Sequence, residues 1–217
     1  MSQDENLFHV MKNMRPMRRL KPNPISDALI EEILDAASCA PNSLNSQPYR
    51  FLLIRDATQK GWFGKQYDAA MWDRFAAMSP KDGDDSKNAR NVRTAMQMGK
   101  HIKDIPLLLL VCGVRDWPFS VQEKDRVGLA PASLGSVYPC IQNILLACRA
   151  KGLGASLTTM HQVFEENLCS RLGIPADFGV VGVIPIGYPI GSFGPVSRLP
   201  ARDLTFYETW SEKSSAC

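Results

Sequence analysis

The six residues that follow Pro106 restrict the fold more than any other part of this chain. They read Leu-Leu-Leu-Leu-Val-Cys, with no alternation of apolar and polar positions. A short, continuous apolar run of this kind is typical of a β-strand that is covered on both faces. Residues 49–56 and 179–187 are also rich in apolar residues and predict two further strands. We therefore expect a buried sheet with helices packed on it.

Two helices can be placed from local patterns. Ser26 is a suitable helix N-cap, and the apolar residues that follow recur at the spacing of one helical face. Pro41 ends this helix, because the residue before a proline avoids helical backbone angles. Residues 140–151 are apolar almost all round, which indicates a helix buried in a core or against a partner subunit.

The remaining segments complete an α+β pattern. Helices are predicted over residues 61–78, 87–104 and 163–172, and residues 79–85 form a polar break that should be exposed. Roughly four strands and five or six helices, which do not strictly alternate, predict one α+β domain with a central sheet. The 217 residues are too few for a second full enzyme domain. The Gly- and Pro-rich residues 188–217 cannot form a core alone, and a second subunit is one surface on which they could lie.

Composition argues against several classes of function. The 25 Lys and Arg residues exceed the 22 Asp and Glu residues by only three, far less than the basic excess of nucleic-acid-binding modules. The longest apolar stretch, residues 105–114, contains a proline and is half as long as the about 20 residues that a transmembrane helix needs. No signal-like apolar segment follows the acidic N-terminus, so we expect a cytoplasmic protein that does not bind a membrane.

The cysteines and histidines do not predict a metal site or a disulfide framework. The six cysteines include no Cys-x-x-Cys pair and are interpreted as reduced thiols, and the three histidines lie far apart in the chain. Cys39 lies close to a polar loop, and we expect it to be a buried structural residue. The chain has no Gly-x-Ser-x-Gly, His-Glu-x-x-His or phosphate-loop motif.

Three segments contain candidate binding residues. Arg15, Arg18 and Arg19 could form a phosphate pocket through their guanidinium groups, or could be a solvated basic face. The polar loop at residues 41–48 could bind the polar edge of a heteroaromatic ring, although its residue types are also those of ordinary turns. Residues 152–159 contain Gly-Leu-Gly and two threonines, but this segment follows a helix and lacks the third glycine of a dinucleotide fingerprint.

Taken together, five strings resemble the nitroreductase family of FMN-dependent oxidoreductases, and they occur in the family's order between residues 14 and 200. They are the arginine cluster followed by LKPNPIS, then APNSLNSQPYRFLLIRD, QNILLACRAKGLGASLTT, VVGVIPIGYP and SRLP. The resemblance implies an α/β sandwich with a mostly antiparallel sheet in an intertwined homodimer. Each of two sites would hold one FMN and contain residues of both subunits.

The resemblance also implies an activity. NADH or NADPH would reduce the flavin, and a nitroaromatic, quinone or similar small-molecule acceptor would then be reduced in a ping-pong cycle. Within the same fold, reductive dehalogenation and flavin fragmentation remain open, and a non-catalytic flavin-binding protein is a further alternative. Residues 61–104 and 116–131 would be variable lid and pocket segments, and residues 188–217 would pack on the partner subunit.

The family's cofactor-binding positions can be transferred to this chain residue by residue. Arg15 and Arg18 match a clamp on the phosphate and the flavin edge, and Pro16 replaces the family's usual serine. Thr158 and Thr159 match positions whose backbone N–H groups approach the flavin N5 side. Arg198 matches a late basic residue that returns to the phosphate. The complete expected set is Arg15, Pro16, Met17, Arg18, Arg19, Asn42, Ser43, Asn45, Gln47, Thr158, Thr159 and Arg198.

Overall fold

The structure of the chain is a computed structural model, which describes residues 7–78, 83–115 and 132–210. The variable pocket segment expected at residues 116–131 therefore lies outside the described residues, as do positions 79–82 of the polar break. Residues 83–85 of that break are exposed, as predicted. The helices are α1 Leu7–Asn13, α2 Asp27–Ser38, α3 Ala57–Phe75, α4 Lys87–His101, α5 Ala132–Ala150 and α6 Glu165–Leu172. The strands are β1 Tyr49–Ile54, β2 Leu107–Val114, β3 Gly154–Ala155 and β4 Phe178–Gly187.

The four strands form one sheet in the order β1-β2-β4-β3, and each neighbouring pair is antiparallel. The apolar run after Pro106 is the central strand β2, and its first seven residues are buried. Its side chains alternate between the two faces of the sheet. Leu107, Leu109 and Val111 belong to one core cluster, while Leu108 and Leu110 belong to the other. The prediction of a strand covered on both faces is thus confirmed.

Helices cover both faces of this sheet. The core cluster on one face contains residues of α2 and α5, and the cluster on the opposite face contains residues of α3, α4 and α6. This three-layer arrangement confirms the predicted α+β sandwich. Phe63 and Tyr67 of α3 are buried in the second cluster, so part of the segment 61–104 belongs to the core. The described helices include none that is long and apolar enough to cross a membrane.

Two helices begin earlier than the sequence pattern predicts. Helix α3 begins at Ala57, because the Asp56 carboxylate caps it by accepting a hydrogen bond from the Gln59 N–H at 2.9 Å. Helix α5 begins at Ala132 and continues through Pro139, whereas the predicted helix began only after this proline, at residue 140. The predicted N-cap of α2 is confirmed, since the Ser26 hydroxyl accepts from the Leu29 N–H at 3.4 Å.

The described cysteines carry free thiols, but one of them is not where we expected it. Burial raises the pKa of Cys112 to about 11 and that of Cys140 and Cys148 to about 12, so these thiols remain protonated. Cys39 is exposed, and the prediction of a buried residue was wrong. It is the C-cap of α2, and its Sγ lies 3.4 Å from the Asp35 carbonyl on the outer side of the helix. Among the described residues, no group of His, Cys, Asp or Glu could hold a metal ion.

Candidate functional site

The basic segment at residues 14–21 lies against the edge strand β3 and the start of the tail. The Met17 N–H donates to the Ala155 carbonyl at 3.0 Å, and the Lys21 N–H donates to the Tyr188 carbonyl at 2.8 Å. The Ile190 N–H in turn donates to the Arg19 carbonyl at 2.9 Å. Met17 is therefore an internal anchor, with a side chain only 7% exposed, and Pro16 is exposed. These bonds fix the backbone from which the three arginines project.

Gly154 allows this close approach. A Cβ at this position would lie 2.9 Å from the Met17 Cβ and 2.6 Å from a terminal carbon of Leu20. The Leu20 side chain could move, but the Met17 Cβ is attached directly to backbone and could not. The Gly-Leu-Gly string singled out in the sequence therefore has a structural purpose, because it lets the basic segment pack directly on β3.

The arginines of this segment are cations that no described carboxylate neutralises. Within the described ranges, none of Arg15, Arg18, Arg19 and Arg198 forms an ion pair with a carboxylate. Arg15 donates from Nη2 to the Ser192 carbonyl at 2.7 Å, which uses one of its five N–H groups. Several unneutralised guanidinium groups on one short segment create a local positive potential that favours an anion.

Arg198 extends this basic surface from the C-terminal side. The Val196 N–H donates to the Lys12 carbonyl at 2.9 Å, so the tail runs beside the chain that leads into the basic segment. The Arg198 side chain is exposed, and its Nη1 donates to the Ser197 carbonyl at 2.8 Å. Arg198 and the basic segment are more than 170 positions apart in the sequence, yet they lie on the same side of the domain.

Beside Arg18, the structure forms a buried polar cluster that the sequence did not reveal. The hydroxyl groups of Tyr67 and Thr158 lie 2.8 Å apart and share a hydrogen bond. Burial raises the pKa of Tyr67, and the hydrogen bond with Thr158 and the positive charge of Arg18 oppose that shift. No motif marks Tyr67, because only the packing of α3 against the segment after β3 brings it to Thr158.

The two threonines differ in what their backbones can offer to a ligand. The Thr158 N–H donates to the Val183 carbonyl at 2.9 Å and is used within the sheet. The Thr159 N–H has no protein acceptor in the part of the chain that the structure describes. Of the two amides expected near the flavin, only that of Thr159 is thus open to a ligand, while the Thr158 hydroxyl is hydrogen-bonded with Tyr67.

His161 is a buried polar residue shortly after the segment that contains Thr158 and Thr159. It is fully buried, and its Nε2 donates to the Val180 carbonyl at 2.7 Å, while Nδ1 has no partner among the described residues. Burial lowers the pKa of His161, although the Val180 carbonyl and the charge of Glu165 oppose that shift. The imidazole is accordingly neutral in the folded chain near pH 7.

The lowered pKa of His161 predicts a stability that falls with acidification. An unfolded histidine titrates near about 6.5, so below this pH the unfolded chain binds a proton that folded His161 resists. The free energy of unfolding should therefore decrease as the pH falls below that value, down to the lower pKa of the folded state. Urea unfolding at pH 7.5 and 5.5 measures this loss. It should be smaller in His161→Gln, which has an N–H for Val180 but no charge to gain, and equal losses in both proteins would contradict the assignment.

The polar loop before β1 is held in a left-handed backbone conformation. Leu44, Asn45 and Gln47 have φ angles of 53°, 52° and 47°, which are unfavourable for residues other than glycine. Such backbone strain persists only where surrounding contacts enforce it. Here the Asn42 Oδ1 accepts from the Gln47 N–H at 2.9 Å, and the Ser43 N–H donates to the Ser136 hydroxyl of α5 at 3.3 Å.

These braces separate the four expected loop residues into two groups. The Asn42 side chain is used internally, since its Nδ2 also donates to the Ala40 carbonyl at 3.3 Å, and the Gln47 side chain lies close enough to Tyr49 to oppose the rise of that residue's pKa. The Ser43 hydroxyl and the Asn45 carboxamide have no partner in the described ranges. Ser43 and Asn45 are therefore the loop groups that a ligand could use.

Within one chain, the loop and the basic segment lie at opposite corners of the sheet. The loop leads into Tyr49 of β1, which is level with Gly113 and Gly179, whereas the basic segment contacts β3 where Gly154 pairs with Gly187. Three strand spacings and eight residues along β4 separate these points by about 30 Å. That distance is longer than an extended FMN molecule. Within one chain, Arg15 and Arg19 lie against residues 190–194 of the tail, and Arg18 lies near the Tyr67–Thr158 pair. The loop residues lie apart from both groups.

Comparisons with known proteins agree with this fold. The Nitroreductase family model matches residues 12–188. A Bacillus subtilis protein provisionally named NAD(P)H nitroreductase YfhC is 25% identical over 197 residues, 91% of each chain. An iodotyrosine deiodinase of Thermotoga neapolitana is 27% identical over 185 residues, which cover 84% of this chain and 88% of that protein.

A solved structure extends the comparison to three dimensions. The crystal structure of an iodotyrosine deiodinase bound to FMN and 3-iodo-L-tyrosine aligns with a TM-score of 0.71 at 22% identity, over 94% of this chain and 100% of that one. Since the family model spans most of the sequence and the folds agree, the resemblance found in the sequence is confirmed: the chain belongs to the nitroreductase family.

Proposed function

We propose that this protein is an FMN-dependent oxidoreductase that takes electrons from NADH or NADPH and reduces a small organic acceptor. The observation that carries the proposal is the group of unneutralised arginines next to the buried Tyr67–Thr158 pair. A phosphate-bearing ligand with a polar ring system needs cations at one end and directional hydrogen-bonding groups at the other. This surface offers both.

The donor set fits FMN. Arg15 and Arg198, with Arg19, would hold the phosphate, because guanidinium groups bind phosphate oxygens with paired hydrogen bonds. Arg18, the Thr158 hydroxyl and the Thr159 N–H would hold the ring, since Arg18 is close enough to Tyr67 to affect its pKa. When bound, FMN supplies the ability to accept a hydride and pass on its electrons, and the protein supplies binding, orientation and electrostatics.

We further propose that the protein acts as a homodimer in which the loop at residues 42–47 completes the site of the other subunit. The separation of about 30 Å within one chain supports this arrangement, because one ligand cannot reach both groups. The tail supports it as well, since Leu199 and Trp210 are 66% and 84% exposed and would be covered by a second copy.

The names of two relatives support a choice of electron donor and of electron acceptor. The name of the Bacillus subtilis protein includes NAD(P)H and nitroreductase, which supports a nicotinamide donor and a nitroaromatic or quinone acceptor. The Thermotoga neapolitana deiodinase, at similar identity, supports reductive dehalogenation as a second candidate. A cytoplasmic location accords with the free thiols of the described cysteines. Steady-state rates with quinones, nitro compounds and halogenated phenols would distinguish the two chemistries.

Purified protein is expected to be yellow, or to become yellow when FMN is added and excess flavin is removed. Addition of NADH or NADPH without oxygen should then bleach the flavin absorbance near 450 nm, with about one donor consumed per flavin, because hydride transfer moves two electrons. A spectrophotometric titration measures both properties. Colour without bleaching would support a non-catalytic flavin-binding protein, and failure to bind FMN at all would refute the proposal.

A further inference from the structure

A buried arginine outside the basic segment contacts the C-terminal tail. Arg149 belongs to the last turn of α5 and is only 8% exposed. The central carbon of its guanidinium lies 4.3 Å from the centre of the Phe193 ring, well within the distance of about 6 Å at which a cation and an aromatic face attract each other. Because α5 is a long helix in the core, it offers the tail a fixed point of attachment.

The tail has few other attachments at this position. Its backbone is bonded at Ile190, which donates to the Arg19 carbonyl, and at Val196, which donates to the Lys12 carbonyl. Residues 191–195 form no backbone-to-backbone hydrogen bond with any described residue. Between these two points, the tail is held by the contact of the Phe193 ring with Arg149 and by the hydrogen bond of the Ser192 carbonyl with Arg15.

This restrained stretch is also the part of the tail that contacts Arg15. Ser192, which directly precedes Phe193, accepts the hydrogen bond from the Arg15 Nη2 at 2.7 Å. On the other side of Phe193, a Cβ at Gly194 would lie 3.7 Å from the Arg15 guanidinium carbon, which is ordinary contact. Residues 192–194 therefore form the surface on which the Arg15 guanidinium lies, with Phe193 held at its centre by Arg149.

We propose that Arg149 and Phe193 are positioning residues that fix Arg15 for binding the FMN phosphate, an inference that rests on the proposed function. Without the ring contact, residues 191–195 can shift and the Ser192 carbonyl no longer holds the guanidinium in one place. Arg15 then loses conformational entropy when it binds phosphate. In the native chain, that entropy is already lost on folding. The effect should be specific for ligands that carry the phosphate.

The test compares FMN with riboflavin, which has the same ring and ribityl chain but no phosphate. Phe193→Leu keeps an apolar side chain and removes the aromatic face, so we expect the dissociation constant for FMN to rise about fivefold. The constant for riboflavin should not change. Phe193→Trp retains an aromatic face and should restore FMN binding close to the native value. Flavin fluorescence titrations of the apoprotein measure all of these constants.

A double-mutant cycle then tests whether the effect passes through Arg15. In an Arg15→Ala background, Phe193→Leu should cause no further loss of FMN affinity, whereas in an Arg198→Ala background it should retain its full effect. Equal losses for FMN and riboflavin, additive losses with Arg15→Ala, or unchanged FMN binding in Phe193→Leu would each overturn the inference. If the native protein bound neither flavin, the proposed function itself would fail, which is a distinct result.

Discussion

Arg15→Ala is expected to weaken FMN binding roughly tenfold to a hundredfold, because a charge-assisted hydrogen bond to phosphate is worth about 1.5–3 kcal/mol. Arg15 is not neutralised by a described carboxylate and is oriented by the Ser192 carbonyl, so its truncation leaves no local substitute. Arg198→Ala should weaken binding in the same direction but less strongly, because its guanidinium is bonded only to the carbonyl of the adjacent Ser197 and is less firmly oriented than that of Arg15. Equilibrium titration of the apoprotein with FMN measures both effects.

Arg202→Ala is a matched control for these variants. Arg202 lies on the same tail and has a side chain that is 77% exposed, but it pairs with Asp203 at 3.6 Å and is not part of the proposed site. Its removal changes the net charge by the same amount and should leave the affinity for FMN unchanged. If all three variants bound FMN equally well, the phosphate would lie elsewhere. If all three lost affinity equally, only the net charge would matter.

The sheet and the positions of the arginines could be predicted from the sequence because each depends on local information. The apolar run after Pro106 is itself the central strand, and the Ser26 N-cap forms within three residues of the helix it begins. Arginines close together in sequence remain close together when the segment that carries them is extended along a strand. The order of the elements along the chain was therefore enough to predict the layers.

Features that depend on long-range packing could not be predicted in this way. Tyr67 reaches Thr158 across 91 positions of sequence, and only the packing of α3 brings the two hydroxyl groups together. The exposure of Cys39 depends on which side of the α2 C-terminus faces the sheet, which the residue type does not determine. The left-handed angles of Leu44 and Asn45 occur in a loop whose backbone N–H groups donate hydrogen bonds to Asn42 and Ser136, and no turn motif indicates these bonds.

A random mixture of the subunits of two inactive variants is expected to recover about a quarter of the native flavin content and activity. One variant, Arg15→Glu with Arg18→Glu, reverses the charge of the basic segment. The other, Ser43→Asp with Asn45→Asp, places carboxylates on the two open loop positions, and aspartate tolerates the left-handed angle found at position 45. Each variant alone should bind almost no FMN, because every site of its homodimer lacks one of the two halves.

The recovery follows from the separation of the two halves of the site at opposite corners of the sheet. When the two subunits mix at random, about half of the dimers contain one of each, and in these one site combines the native basic segment with the native loop. The second site of the same dimer carries both sets of substitutions and stays empty. Mixing Arg15→Glu with Arg18→Glu is the matched control, since both changes then affect the same half and neither site is restored in full. If tagged subunits showed that mixed dimers had formed and flavin content still did not recover, each site would have to be built from a single chain. If the loop variant alone bound FMN normally, the loop at residues 42–47 would have no part in the site.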